Sequence, residues 1–539
     1  MARRVAIVGA GVSGLASLKC CLDEGLQPTC FERSNGIGGL WQFTEIPEKG
    51  KTNVYRSVIT NTSKEMTCFS DFPFPEDCPN YLHHSVLLEY LKAYAEQFHL
   101  LDYIHFKTTV YSIRKHPEFT ATGQWVVCTE TNGQQASAIF DAVMVCNGRY
   151  AEINLPLASF PGIENFQGRY FHSWEYRDPK GFEGGNVIVI GAGSTAGDVA
   201  AEISRAAAKV FLSTRRGTWV ISRISEAGWP FDLVYSTRFR GSILKLLPEG
   251  IMGKMLSKIC NRWFNHENYG LVPIQSSWIP FILNDELPSC ILCGGVVVKP
   301  NVKRFTETSA IFEDGTVEEN IDVVIFATGY NAAFPFLEES VADACRNSTS
   351  LYKQVFLPQL EKPTLAVIGY ISVTGSILPV VELQARWATR VFNGSSKLPP
   401  VNRLMSEVAK QKNYLLKRNI PSDKARASYV AYMDEIADCI GVKPNVPWLF
   451  LLDPKLALSV LFGPCSSYQY RLNGPGKWGK ARSVILTQWD RVLKPLKTRV
   501  IDDSPKQSTV SCWVKVLGLS TFLGVAILFF KCSSPSRLK

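Results

Sequence analysis

The sequence predicts an α/β protein with two Rossmann-like dinucleotide-binding domains, the first interrupted by the second, plus a C-terminal helical membrane anchor. Three observations carry this. A glycine fingerprint follows a short apolar strand at Val5–Val8, a second follows another such strand at residues 186–190, and residues 516–530 are free of charge. Parallel strands covered by helices on both faces read as continuous apolar runs rather than alternating ones.

The first unit begins with Val5-Ala6-Ile7-Val8, followed by Gly9, Ala10, Gly11, Val12, Ser13 and Gly14. A helix is predicted from Leu15 to Gly25 and a second strand from Thr29 to Phe31, ending at Glu32. In such a βαβ unit Gly9 permits the tight turn, Gly11 lets the backbone approach a pyrophosphate, and Gly14 lets helix pack on strand. The helix N-terminus then offers unpaired N–H groups to the phosphates. Glu32 stands 21 residues after Gly11. An acid there accepts hydrogen bonds from a ribose diol and repels a 2′-phosphate, so this site takes FAD or NAD. Gly39, Leu40 and Trp41 follow shortly after and join the candidate cofactor residues.

The pattern recurs at residues 186–190, with Gly191, Ala192, Gly193, Ser194, Thr195 and Ala196 opening a helix predicted through Ala206 that carries Gly197 and Asp198. The next strand, Lys209 to Leu212, leads to Arg215 and Arg216. Two guanidinium groups and no acid at the ribose position point to a 2′-phosphate, hence NADPH. The bland alternative is a solvated arginine pair on a loop. Opposite ribose preferences on one chain imply electron traffic, with FAD as prosthetic group and NADPH as reductant.

A further apolar strand, Val323 to Phe326, leads into Ala327-Thr328-Gly329-Tyr330 and reads as the return to the first domain. The predicted organisation is therefore an FAD-binding first part at 1–153 and an NADPH-binding domain at 154–330, with inserted helices near 231–262. An FAD-binding second part at 331–440 and a C-terminal apolar, helical region with a linker at 441–510 follow. The anchor and its basic tail occupy 511–539. Residues 231–262 carry Arg238, Arg240, Lys245, Lys254, Lys258 and Arg262 among apolar positions. Such helices suit an anionic membrane surface or, equally, a solvated face. The stretch Val516–Phe530 spans about 22 Å as a helix, and starting it at Cys512 gives about 28 Å, against a hydrocarbon core of roughly 30 Å.

Composition bounds the rest. The 539 residues are 46% hydrophobic and 20% charged, enough for a large core and unlike a disordered chain. The net charge of +10 is partly local, since residues 512–539 hold Lys515, Lys531, Arg537 and Lys539 and no acid. The mild remainder argues against a nucleic-acid partner. Fifteen scattered cysteines form no disulfide framework, and Cys290-x-x-Cys293 alone is a poor zinc site, so no metal is expected. Gly9 breaks the first apolar run too early for a secretory leader, so the three sequons at Asn61, Asn347 and Asn393 carry no weight in a cytosolic body.

Other motifs carry a resemblance. Phe166-x-Gly168-x-x-x-His172-Ser173-x-x-Tyr176-Arg177 stands between the glycine turns. With it come Thr60-Asn61-Thr62-Ser63-Lys64-Glu65-Met66, Ala327–Tyr330 and Glu382-Leu383-Gln384-Ala385-Arg386-Trp387. Along its whole length the chain resembles the vertebrate microsomal flavin-containing monooxygenases, the dimethylaniline monooxygenase (N-oxide-forming) family. The resemblance implies an FAD- and NADPH-dependent enzyme whose 4a-hydroperoxyflavin oxygenates soft nitrogen or sulfur nucleophiles of small lipophilic substrates. It implies an endoplasmic reticulum membrane location with the body facing the cytosol. Within it Asn61 is the catalytic candidate, because an amide donates and accepts without protonating the oxygenating species, and Thr60 and Thr62 are cofactor contacts. A turn asparagine is the plainer reading of Asn61.

The chain departs from the family pattern at Ser194 and Ala196, at Arg149-Tyr150, and at Ser372-Val373-Thr374-Gly375. Baeyer–Villiger oxygenation of ketones, uncoupled oxidation of NADPH with release of hydrogen peroxide, and a non-enzymatic role as an anchored redox-sensing flavoprotein stay open beside the leading reading. A homo-oligomer is compatible with all of them.

Overall fold

The structure, a computed structural model, describes residues 3–499 apart from Lys49, Ala151, 275–280, Asn419 and 421–424. The linker expected over 499–511 and the anchor expected at 511–539 lie outside the described residues, save Arg499 itself. Two compact units divide the chain, Met1–Val492 and Leu493–Lys539, and everything below concerns the first.

Two five-stranded sheets organise this unit. The first runs Leu365–Val367, Ala142–Val145, Arg4–Val8, Gln27–Phe31, Ile104–His105, with every neighbouring pair parallel. The second runs Val296–Lys299, Lys209–Ser213, Asn186–Ile190, Val323–Phe326, Arg169–His172, again all parallel. All strands of the second sheet fall in sequence between Ala142–Val145 and Leu365–Val367 of the first. The apolar runs of the central strands, Val5–Val8, 187–190 and Val323–Phe326, are buried throughout, while the polar first residues Arg4 and Asn186 are not.

The helices after the two glycine turns start earlier than the apolar pattern alone indicates. The first spans Val12–Asp23 and the second Ser194–Ile203. Their first turns are small or polar residues that carry no periodic signal, and Gly11 and Gly193 act as extended N-caps. The first ends before Gly25, whose φ of +70° is left-handed and stops the helix. Against the Val12–Asp23 helix packs the long buried helix Ile377–Phe392.

Two chain crossings join the sheets, and they are zipped together. Tyr330–Asn331 pairs antiparallel with Glu152–Ile153, and the Asn154 N–H donates to the Gly329 carbonyl at 2.9 Å. His172 is fully buried beside them. Its Nδ1 accepts from the Trp174 N–H at 3.1 Å, so its Nε2–H donates to the Gly329 carbonyl at 3.0 Å. Arg177 donates to the carbonyls of Thr44, Glu45, Trp174 and Tyr176. The Phe166–Arg177 motif is thus a latch between the two sheets.

Helices Phe231–Tyr235, Arg238–Leu246 and Glu249–Cys260 cover most of the stretch 231–262. One expected member of its basic face is not on the surface: Arg238 is buried, paired with Asp434 and bonded to Gln469. Helices Val446–Leu452 and Pro454–Phe462 fill the region after 441, the latter packed against Arg238–Leu246. Among the described residues no helix is long and apolar enough to cross a membrane.

Candidate functional site

The first glycine turn is shaped for an anion. Gly9 has φ of +100°, open only to glycine at low strain. A Cβ on Gly14 would lie 1.8 Å from the Gly9 carbonyl oxygen, so this position is glycine for helix-on-strand packing. A Cβ on Gly11 would meet nothing nearer than Gly39 Cα at 3.6 Å, so the protein itself leaves that space open. The helix it caps has no side-chain cap and no acid in its first turn. Its N–H groups and macrodipole remain available to a phosphate. Glu32 accepts from the Ala10 N–H at 2.7 Å and the Ser34 N–H at 2.8 Å, which fixes its carboxylate beside the turn. Gly39 closes on Gly11 from the other side and opens the short helical turn Gly39–Trp41, with Leu40 and Trp41 partly buried.

The second turn repeats the design with other residues. Gly191 abuts Ala327, whose carbonyl oxygen would lie 2.4 Å from a Cβ there. A Cβ on Gly193 would meet nothing within 4 Å among the described residues, and its helix again lacks a side-chain cap. Gly197 packs on Ile282, 2.5 Å from where a Cβ would stand. Ser194 Oγ accepts from the Leu283 N–H at 3.4 Å, while Thr195 is partly exposed and Ala196 buried. Both carboxylate oxygens of Asp198 are bonded, to Tyr55 at 2.5 Å and Asn284 at 2.6 Å. Burial raises the Asp198 carboxyl above its ordinary value, and these two bonds oppose the shift. Asp198 therefore docks a loop of the first sheet's side onto this helix. Arg215 and Arg216 are exposed, and beside them the buried Thr214 hydroxyl has no hydrogen-bond partner. Exposed guanidinium groups next to a hydroxyl that finds no partner among the described residues fit an incoming phosphate.

Asn61 sits on a loop whose neighbours are tied down, with Thr60 and Ser63 buried and Thr62 half-buried. Thr60 exchanges hydrogen bonds with Leu82, its N–H donating at 2.8 Å and its Oγ1 accepting at 2.9 Å. Thr62 shares a hydroxyl contact of 2.8 Å with Thr67. Ser63 donates its N–H and its hydroxyl to Asp232, at 2.7 Å and 2.9 Å. Glu65 pairs with Arg491 at 2.9 Å. Asn61 itself is exposed, and its Oδ1 accepts from Arg223 Nη2 at 2.8 Å.

Arg223, Asp232 and Asp285 carry no motif that marks them in the sequence. Arg223 lies 162 positions from Asn61 and carries no recognisable motif, so only the folded chain brings them together. Burial pushes the Asp232 carboxyl up to about 6, against the bonds that Ser63 donates to it. The Glu382–Trp387 motif is buried structure: Glu382 accepts from Ser70 and Arg471, and Gln384 accepts from the Gly369 N–H at 2.9 Å. Burial and the neighbouring Arg471 charge lower the Arg386 guanidinium to about 10. At the other departures, Tyr150 packs edge-on to Tyr330, and the Ser372–Gly375 segment pairs with Ala427 and rests on Tyr429.

The profile of the family described as FMO-like, flavin-binding monooxygenase-like, matches residues 2–531. The chain belongs to the flavin-binding monooxygenase-like family. The monooxygenase is 55% identical over 535 residues to the human protein named dimethylaniline monooxygenase (N-oxide-forming) 4, covering 99% of this chain and 96% of that one. It is likewise 55% identical over 534 residues to the mouse protein named dimethylaniline monooxygenase (N-oxide-forming) 2, covering 98% and 99%. Its fold is shared with the S-allyl-L-cysteine S-oxygenase of Allium sativum, with a TM-score of 0.61 and 24% identity, over 85% of this chain and 95% of the other. Cyclohexanone monooxygenase from a Rhodococcus species, solved with NADP+, matches with a TM-score of 0.57 and 16% identity, over 82% and 98%. The monooxygenase is an NADPH-dependent flavoprotein oxidoreductase that uses FAD and molecular oxygen on small substrates.

Proposed function

We propose that this monooxygenase transfers one oxygen atom of O2 to a soft nitrogen or sulfur nucleophile of a small lipophilic amine or sulfide. Bound FAD supplies the redox chemistry that activates oxygen with electrons from NADPH. FAD would be held by Gly9–Gly14, Glu32 and Gly39–Trp41, in a domain made of 1–153 and 331–440, with Glu32 selecting a ribose diol. NADPH would be held by Gly191–Gly197 in the domain 154–330, with Arg215 and Arg216 selecting the 2′-phosphate. The chain's own residues bind, orient and exclude water, since water at the reacting centre diverts oxygen to hydrogen peroxide.

The observation that carries the reading is Asn61. It is an exposed amide on a loop that buried Thr60 and Ser63 tie down on either side through hydrogen bonds. Such a loop presents one fixed neutral donor, which is what stabilising a developing negative charge on oxygen requires. Thr60 and Thr62 would touch the cofactors from either side. Asn61→Ser is expected to keep FAD and lose oxygenated product. The decisive assay supplies a sulfide, a tertiary amine and a ketone in parallel and measures products and hydrogen peroxide. Sulfoxide and N-oxide from the parent, lost in Asn61→Ser, support the reading. An ester from the ketone alone, or peroxide with no product, replaces it.

The location follows from chemistry on the surface and in the sequence. Trp448, Leu451 and Leu452 are exposed on the helix Val446–Leu452, and Leu246 and Ile251 are exposed on helices that also carry exposed Lys245, Lys254 and Lys258. Apolar side chains with basic neighbours suit an anionic lipid surface. With the charge-free run 516–530, they support attachment to the endoplasmic reticulum membrane, the catalytic body in the cytosol.

A further inference from the structure

Arg223 reaches the Asn61 loop from the far side of the second glycine turn, just after the strand Trp219–Ile221. It is buried, with 4% exposure. Its guanidinium meets three partners. Nη2 donates to Asn61 Oδ1 at 2.8 Å, Nε to the Thr60 carbonyl at 3.3 Å, and Nη1 to Asp285 Oδ2 at 3.1 Å. Its own backbone is pinned: the N–H donates to Asp285 Oδ1 at 2.8 Å, and the carbonyl accepts from the Tyr81 hydroxyl at 2.6 Å and the Phe231 N–H at 2.8 Å. Asp285 is held in turn by the Ser222 hydroxyl at 2.7 Å.

This arrangement decides which way the Asn61 amide points. A guanidinium has donors only, so the group facing it must be the amide oxygen. The amide nitrogen, with two N–H donors, is then turned away from Arg223. An asparagine free to flip would offer oxygen or nitrogen alternately, and half the time would present a lone pair where a donor is required. The planar, multidentate guanidinium also ties the loop carbonyl and a carboxylate into one rigid fork, which a lysine cannot do.

We propose that Arg223 is a positioning residue that, braced by Asp285, fixes the Asn61 amide with its N–H2 group outward as a committed hydrogen-bond donor. Because Arg223 and Asp285 come from the side of the chain that carries the NADPH turn, correct docking of that part sets the orientation of the Asn61 donor. This rests on the reading of Asn61 given above.

The test uses the FAD-loaded enzyme with a sulfide substrate and compares Arg223→Met, Arg223→Lys, Asn61→Ser, Asn61→Asp and the double variant Arg223→Met/Asn61→Ser. Three quantities are measured: sulfoxide formed per NADPH consumed, FAD content, and amide hydrogen exchange of peptides covering 58–67. Losing a charge-assisted bond predicts a fall in sulfoxide per NADPH of about tenfold or more in Arg223→Met. FAD content stays parental, exchange at 60–63 rises, and Arg223→Lys lies between. Asn61→Asp keeps the loop protected, since a carboxylate still accepts from Arg223, yet loses product because it offers no donor. The double variant is no worse than Asn61→Ser, because Arg223 acts only through Asn61. Parental coupling in Arg223→Met with its FAD retained overturns the proposal, and so does a double variant whose losses multiply. If Arg223→Met fails to hold FAD, Arg223→Lys decides by the same two measures. An Asn61→Ser enzyme with parental coupling overturns the reading of Asn61, while unchanged exchange in Arg223→Met overturns the clamp alone.

Discussion

At Gly14 and Gly11 the same added methyl group meets two different worlds. At Gly14 it would stand 1.8 Å from the Gly9 carbonyl oxygen, an overlap no side-chain motion relieves. At Gly11 it meets only ordinary contact with Gly39 at 3.6 Å, and the backbone φ of −74° suits alanine. Gly14→Ala is therefore expected to abolish the folded protein. Gly11→Ala should fold but fail to retain FAD, because the methyl occupies space that only the cofactor needs. Flavin absorbance after gel filtration separates the two, and a fully yellow Gly11→Ala enzyme would remove this turn from the FAD site. Arg215 and Arg216 allow the same logic at the second turn. Both are exposed, so neutral replacements leave the fold untouched. Losing a charge-assisted contact is worth about 1.5–3 kcal/mol, roughly ten- to hundredfold in affinity. The loss should fall on NADPH and spare NADH, because only NADPH carries the 2′-phosphate. Equal losses for both nucleotides mean that the pair serves structure or general charge.

Whole elements show what a single sequence reveals and what it hides. The strands at 5–8, 186–190 and 323–326 were legible because burial on both faces writes an uninterrupted apolar run, and the glycine turns because their spacing is a steric requirement. The starts of the following helices were not, since Val12, Ser13, Ser194 and Thr195 carry no 3.6-residue period. Arg238 was misplaced for a related reason. Its charge suggests a surface, but its partners Asp434 and Gln469 lie about two hundred residues away and no local pattern announces them. The site was half legible: Asn61 sits in a recognisable motif, whereas Arg223 and Asp232 grip that motif from the insertion side with no motif of their own. Asp232 supplies a test. Its carboxyl is pushed from 3.8 up to about 6 by burial, so the native state holds this proton more tightly than the unfolded chain. Its contribution to stability is then fully present below pH about 4 and is lost as the pH rises through about 6. Asp232→Asn cannot titrate. Relative to this variant, the parent is expected to lose melting temperature steadily between pH 4 and 6, by the equivalent of about 2–3 kcal/mol. A constant difference across that window would show that Asp232 titrates normally and is not desolvated.

On the scale of the whole molecule, the parts built on the two parallel sheets are fastened to each other. The chain crossings are zipped by Asn154, Gly329 and His172, and the helix of the second turn is docked through Tyr55 to Asp198 and Ser57 to Glu202. These contacts all lie within Met1–Val492, so on the reading proposed above catalysis and membrane attachment should separate. A chain truncated after residue 510 keeps both glycine turns, Asn61 and the Arg223 clamp. It is expected to retain FAD and to oxygenate a soluble sulfide at close to the parental rate. It loses the run 516–530, which as a helix from Cys512 reaches about 28 Å into a core of roughly 30 Å. Exposed Trp448, Leu451, Leu452, Leu246 and Ile251 remain, together with exposed Lys245, Lys254 and Lys258, for a weaker and partly electrostatic attachment. Screening by salt weakens such an attachment and leaves hydrocarbon insertion unaffected. The truncated enzyme should therefore leave microsomal membranes at high ionic strength, while the full chain requires detergent. Replacing Leu451 and Leu452 by serine in the truncated enzyme should then release it at low salt as well. If the truncated enzyme resists salt as firmly as the full chain, the charge-free run is not the anchor, and attachment rests on the apolar faces of the insertion and of the helix Val446–Leu452.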